Sequence, residues 1–170
     1  MRIAYLSCAD VMPDAPHRRV DAYEQDREMA AFAPAVSARG GLLEPVDWRR
    51  CEPSGYDLAF VRTTWDYVDH EAEFLAFLDR AAAVTRVANA PGLIRWNLSK
   101  RYLAGLAERG LPVLPSLFTD SGTPLSDAFD RLGADELVLK PVVGSSGFGQ
   151  SRVRREAAEG QFLSPQQFAQ

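Results

Sequence analysis

Two lysines, set forty residues apart and followed by a glycine-rich run, carry the most specific chemistry in this sequence. Residues 137–149 read LVLKPVVGSSGFG: Lys140 stands near the end of an apolar strand, which then breaks into a loop at Gly144, Ser145, Ser146, Gly147, Phe148 and Gly149. Glycines let a backbone approach an anion closely, successive N–H groups can point at it, and serine hydroxyls add donors. The same residue types also make an ordinary hairpin turn. The run is not a Walker A loop, because no Gly-Lys-Ser/Thr closes it, and it does not lead from a strand into a helix as a dinucleotide fingerprint must. Strand alternation leaves Val138 and Lys140 on one face, and a lysine projecting from an otherwise buried side is costly unless it meets an anion. A solvent-facing edge lysine is the alternative. Lys100 falls at the start of an expected helix, where the dipole disfavours a cation unless a phosphate sits there too.

A second cluster occupies residues 61–67, VRTTWDY. It lies just past an expected strand, at the carboxyl end where α/β sheets place ligands. Arg62 can pair bidentately with a carboxylate, Trp65 and Tyr67 can wall a pocket, and Asp66 can take an amino group or orient Arg62. A tight turn with packed aromatics accounts for the same residues equally well. The loop over residues 9–21 is expected to border the same place.

The elements that must position these groups alternate. Near-continuous apolar residues 3–7 suit a strand buried on both faces. A helix follows over residues 22–39, with Asp21 as N-cap, Gly40-Gly41 as its stop, and a kink or break at Pro34. Strands are expected at LLEPV, DLAFVR and TRVAN, with an amphipathic helix whose Phe74, Leu75, Leu78 and Ala82 share a face. This pattern predicts a small, largely parallel α/β domain over residues 1–95. Over residues 96–170 the reading is one helix capped by Asn97 and ended at Gly110, a short helix at SDAFDRLG, then the strand of Lys140 with QSRVRR returning antiparallel. Ser164 and Pro165 then look like the start of a further helix. A second domain with so few elements is too small to bury a core, so the chain is expected to be an N-terminal fragment.

Composition sets limits. The chain has 170 residues, 46% hydrophobic and 25% charged, with net charge −4, which fits a globular protein and argues against a broad nucleic-acid surface. Two cysteines without metal-ligand spacing disfavour a disulfide framework or a zinc site. No apolar stretch is long enough for a membrane, and cytoplasm is the expected compartment.

Taken together, WNLSKRYLAGLAERGLPVLPS and LVLKPVVGSSGFG resemble the ATP-grasp superfamily, in its glutathione-synthetase-like branch. VRTTWDY looks like the Arg-x-x-Trp-Asp-Tyr signature of the O-ureido-serine cyclo-ligase-like group, and ribosomal-protein glutamate ligases are similar. The resemblance implies a parallel-sheet pre-ATP-grasp domain followed by an incomplete α+β ATP-grasp domain. It implies that Lys100 and Lys140 bind ATP phosphates, with residues 144–149 as the flap over them. It further implies an ATP-dependent carboxylate–amine or cyclising ligase acting through an acyl-phosphate on a small-molecule carboxylate and amine. Mg²⁺ would be the metal, with its ligands and the phosphoryl-steadying arginine expected beyond residue 170. No catalytic or metal-ligating residue is assigned within the chain, not even among Asp135, Glu136 and Glu156, and the fragment alone is expected to be inactive. A non-catalytic α/β binding module is the rival reading. A Rossmann oxidoreductase is disfavoured because SCADVMPDAP stands where its glycine fingerprint would. The carboxylate, the nucleophile and the oligomeric state stay open.

Overall fold

The structure is a computed structural model describing residues 1–144 and 147–170. It divides into two compact units, Met1–Arg95 and Trp96–Gln170.

In the first unit β1 (Arg2–Ser7), β2 (Leu42–Asp47), β3 (Leu58–Thr63) and β4 (Arg86–Ala88) form a parallel sheet in the order β2-β1-β3-β4. Central β1 is buried on both faces: Tyr5 points one way, Ala4 and Leu6 the other, and all three are fully enclosed. Pro45 is accommodated because β2 is an edge strand, where a missing N–H breaks no ladder. Helix α1 (Tyr23–Ser37) covers the Ile3 and Tyr5 face through Met29, Ala33 and Val36. It runs through Pro34 without the expected break. Its N-cap is Ala22 rather than Asp21, whose carboxylate is taken by the Arg19 guanidinium instead. Helix α2 (Glu71–Val84) buries Phe74, Phe77, Leu78 and Ala81, an i, i+3, i+4, i+7 stripe. The stripe is rotated from the one expected, since Trp48 packs edge-on against Phe74 and beside Phe77.

After β4 come α3 (Pro91–Leu98) and α4 (Tyr102–Glu108). α3 was not expected, and the helix expected after Asn97 begins only at Tyr102, as α4; Asn97 is inside α3 rather than capping a helix. The break has a clear cause. Ser99 bridges to Val143, and the Lys100 N–H donates to the Val142 carbonyl at 2.7 Å, so this stretch of backbone is held by the chain after the Lys140 strand.

The rest of the second unit comprises β5 (Leu117–Phe118), β6 (Thr123–Pro124), α5 (Leu125–Leu132), β7 (Glu136–Pro141), β8 (Ser151–Arg154), β9 (Phe162–Leu163) and β10 (Gln167–Ala169). Its main sheet runs β5-β10-β7-β8, with every pairing in it antiparallel, and β6 pairs with β9. One face buries Leu117, Leu137, Leu139 and Ala169 against Leu125, Ala128 and Phe129 of α5. The expected C-terminal helix is β10 instead. Pro165 sits at the second position of a turn closed by the Gln167 N–H donating to the Ser164 carbonyl, a site proline favours as much as a helix start. Phe168 then pairs with Phe118 on one side and Lys140 on the other, and two ladders outweigh local helix propensity. Among the described residues no helix is long and apolar enough to cross a membrane.

Candidate functional site

In the second unit the β7–β8 pairing sets Leu139 opposite Ser151 and Val138 opposite Arg152, so residues 140–150 connect a true hairpin. Lys140 points to the face opposite the α5 core, not to the core side. There its ammonium donates to the Gln170 side-chain oxygen and lies 6.0 Å from the centre of the Phe168 ring, which stacks on Phe118. A cavity of about 360 Å³ on this face is lined by Val138, Lys140, Gln150, Ser151 and Arg152.

Lys100 lies before α4 rather than in a helix's first turn, which removes the dipole argument drawn from sequence. Its Nζ donates to the Gly144 carbonyl at 3.0 Å. Burial holds the Lys100 pKa below the ordinary lysine value. Among the described residues neither lysine has a carboxylate within ion-pair distance, although arginine makes many such pairs. They are the only lysines in a chain whose other seventeen basic residues are arginine. That compositional contrast was available from sequence and marks both positions.

Gly144 and Gly149 both lie close to the Pro141 ring. Gly149 has φ +70°, and a Cβ there would stand 2.9 Å from Pro141 Cγ. Gly147 has φ +76° with open space around it, and Gly144 would meet Pro141 Cβ at 3.3 Å. Phe148 is 82% exposed. Ser145 and Ser146 lie outside the described residues.

In the first unit the strand order reverses between β1 and β3, the switch point outside whose carboxyl ends open α/β sheets bind ligands. The Cys8 N–H donates to the Thr63 carbonyl there. Beneath it Ser7, Gln25 and Thr63 form a buried polar knot: the Ser7 hydroxyl donates to Gln25 Oε1 and the Thr63 hydroxyl to Ser7 Oγ. Burial and the neighbouring Asp10 push the Cys8 thiol up to about 12, so it stays protonated at neutral pH.

Residues Trp65–Asp69 form a 3-10 turn past β3. Asp66 accepts from the Trp48 indole N–H at 2.7 Å and lies 3.6 Å from Arg49, and burial raises its pKa. Asp66 therefore does not orient Arg62. Tyr67 stacks on Phe74 at 5.6 Å. Arg62 faces α1 and makes a bidentate pair with Glu28, which also accepts from the Tyr5 hydroxyl at 2.6 Å. The four residues thus share a segment, but Arg62 is turned toward different partners. Arg19 joins this group unannounced by any sequence pattern: its guanidinium lies 5.3 Å over the Trp65 ring and 3.6 Å from Asp10. It comes from the loop expected to border this place, and no periodicity singles it out.

The Arg62–Glu28 pair gives a stability prediction independent of any substrate. The hydrogen-bonded guanidinium holds the Glu28 carboxyl below its ordinary value of 4.5. The pair's contribution is then complete above that pH and is lost as pH falls through the lower folded value. Arg62→Ala is expected to cost about 1 kcal/mol at neutral pH for this partly exposed pair. The deficit should shrink on acidification, as read by urea unfolding at both pH values.

A parallel-sheet unit followed by an antiparallel unit with a lysine-bearing strand, a glycine hairpin and a second lysine tied to it is the ATP-grasp arrangement. Within that superfamily the chain belongs to the family of the D-cycloserine synthetase DcsG N-terminal domain, whose sequence model matches residues 3–89. The cycloserine biosynthesis protein DcsG of Streptomyces lavendulae is 35% identical over 141 residues, covering 79% of this chain and 47% of that protein. The crystal structure of D-cycloserine synthetase DcsG matches 99% of this chain and 58% of its own at 28% identity, with TM-score 0.78. A RimK domain ATP-grasp protein from Sphaerobacter thermophilus shares the fold at 21% identity and TM-score 0.64, covering 100% of this chain and 63% of that one. The chain therefore spans about half the length of these relatives.

Proposed function

We propose that the protein carrying this chain is an ATP-dependent ligase that activates a small-molecule carboxylate as an acyl-phosphate and joins it to an amine, by ring closure in the cyclo-ligase manner. The observation that carries this reading is the pair of lysines at the glycine hairpin, whose ammonium groups donate to neutral oxygens and, among the described residues, have no carboxylate within ion-pair distance. A half-buried ammonium without a counter-charge favours an anionic ligand, and ATP phosphates are the anion this family membership suggests.

A carboxylate oxygen attacks the γ-phosphorus and ADP leaves. The amine then attacks the acyl carbon, loses a proton, and inorganic phosphate departs. Lys100 and Lys140 neutralise and orient the phosphates, and the backbone of Gly144, Gly147, Phe148 and Gly149, with Ser145 and Ser146 between them, covers them against water. Arg62, Trp65, Asp66 and Tyr67, with Arg19, are the candidate substrate contacts, and Arg62 would exchange Glu28 for a substrate carboxylate. Mg²⁺ supplies charge neutralisation in such transfers. Among the described residues no group of three or more His, Cys, Asp or Glu side chains gathers to hold a metal, so no residue here is assigned to it.

The test uses the complete protein, ATP and O-ureido-serine labelled with ¹⁸O in its carboxylate. The expected result is ADP together with phosphate carrying one ¹⁸O. ADP formation with unlabelled phosphate contradicts the acyl-phosphate route, and no turnover contradicts the cyclising substrate.

A further inference from the structure

Alternation along β7 and β8 puts more than Lys140 on the cavity face. Arg152 stands directly opposite Val138, and Arg154 opposite Glu136, so Glu136, Val138, Lys140, Arg152 and Arg154 all project to the side away from the α5 core. Three cations and a single carboxylate leave a surplus of positive charge on one hairpin face of a chain whose net charge is −4. The two arginines share Glu136: Arg152 lies 3.5 Å from one of its oxygens and Arg154 3.6 Å from the other. Their surroundings differ. Arg152 lines the same cavity of about 360 Å³ as Lys140, together with Gln150 and Ser151. Arg154 lines a different hollow, with Asp135, Glu136, Arg155 and Glu156.

We propose that Arg152 is a third cationic contact of the phosphate site, binding the anion held by Lys140 from the returning strand of the hairpin. The proposal rests on the ATP reading above and extends it to a residue with no glycine or lysine signature. Its guanidinium offers a fork of N–H donors suited to two phosphate oxygens at once, which an ammonium cannot match. The Glu136 contact does not hold it back. Arg152 is 77% exposed and Glu136 43% exposed, and an ion pair so open to solvent is weak and readily exchanged for a stronger anion. Because β8 is locked to β7 by its ladder, Arg152 also needs no backbone rearrangement to keep its place beside Lys140.

Arg154 provides an internal control. It has the same charge, similar exposure and the same carboxylate partner, but lies outside the cavity. The experiment measures the ATP dissociation constant by calorimetry for the complete protein and its Lys140→Ala, Arg152→Ala, Arg152→Lys and Arg154→Ala variants. Arg152→Ala is expected to weaken ATP about tenfold, the loss of one charge-assisted contact, with partial recovery in Arg152→Lys. Arg154→Ala should stay within about twofold, as expected for a surface charge at a distance. If Lys140→Ala weakens binding while Arg152→Ala matches wild type or merely equals Arg154→Ala, the Arg152 assignment is wrong and the ATP reading survives. If none of the variants weakens ATP, the ATP reading fails and this proposal falls with it.

Discussion

Lys100→Met is expected to make the protein more stable in the absence of nucleotide and to remove most of its response to ATP. The Lys100 ammonium is half-buried, donates to a single carbonyl, and is held below its ordinary pKa by desolvation. A base with a lowered folded pKa costs stability wherever it is charged. That cost is complete below the lowered value, shrinks as pH rises through it, and is gone above 10.5, the ordinary lysine value. Methionine keeps the length and apolar stem without the charge. The gain is no more than about 1 kcal/mol, because the ammonium retains access to solvent and the Gly144 carbonyl loses its donor. In thermal melts without ligand the variant should unfold a few degrees higher, and the difference should fade at high pH. In saturating ATP the order should reverse, because wild type gains stability by mass action and the variant gains far less. A variant destabilised without ligand would show instead that the ammonium serves the fold.

The second large effect belongs to Gly149. A side chain there must adopt φ +70° and also place its Cβ 2.9 Å from the Pro141 ring, whose atoms are not the end of a flexible chain. Strain of the left-handed region alone is about 1–2 kcal/mol, and the clash adds to it. Gly149→Ala should therefore cost about 2–3 kcal/mol in urea unfolding. Gly147→Ala, with φ +76° but nothing within 4 Å, should cost only the conformational part. Equal losses would show that contact with Pro141 does not matter.

These contrasts show what local pattern can and cannot disclose. Strands β1 and β3 and helix α5 are legible because apolar runs, alternation and a glycine stop are local signals, and Gly133 does end α5 at φ +64°. The parallel sheet follows from strand–helix alternation and is the arrangement observed. The late start of α4, and the separate α3 before it, are not legible, because they depend on Val142 and Val143 capturing the backbone at Ser99 and Lys100 from over forty residues away. β10 is hidden for the same reason: Ser164-Pro165 serves a turn or a helix start equally, and only the partners Phe118 and Lys140 decide. The candidate site behaves likewise. Residue types mark Lys100, Lys140 and VRTTWDY, but the partners Gly144, Gln170, Glu28 and Trp48 come from elements distant in sequence. Arg152 needs the hairpin register before its position has meaning.

Whether Lys100 and Lys140 together hold the phosphates of ATP can be read from the equilibrium dissociation constant of ATP for the complete protein against the Lys100→Met/Lys140→Met double variant, measured at one ionic strength. Losing two charge-assisted contacts should weaken binding at least about a hundredfold, while the double variant still unfolds cooperatively. A folded double variant that binds ATP within about threefold of wild type would show that the two lysines do not hold the phosphates.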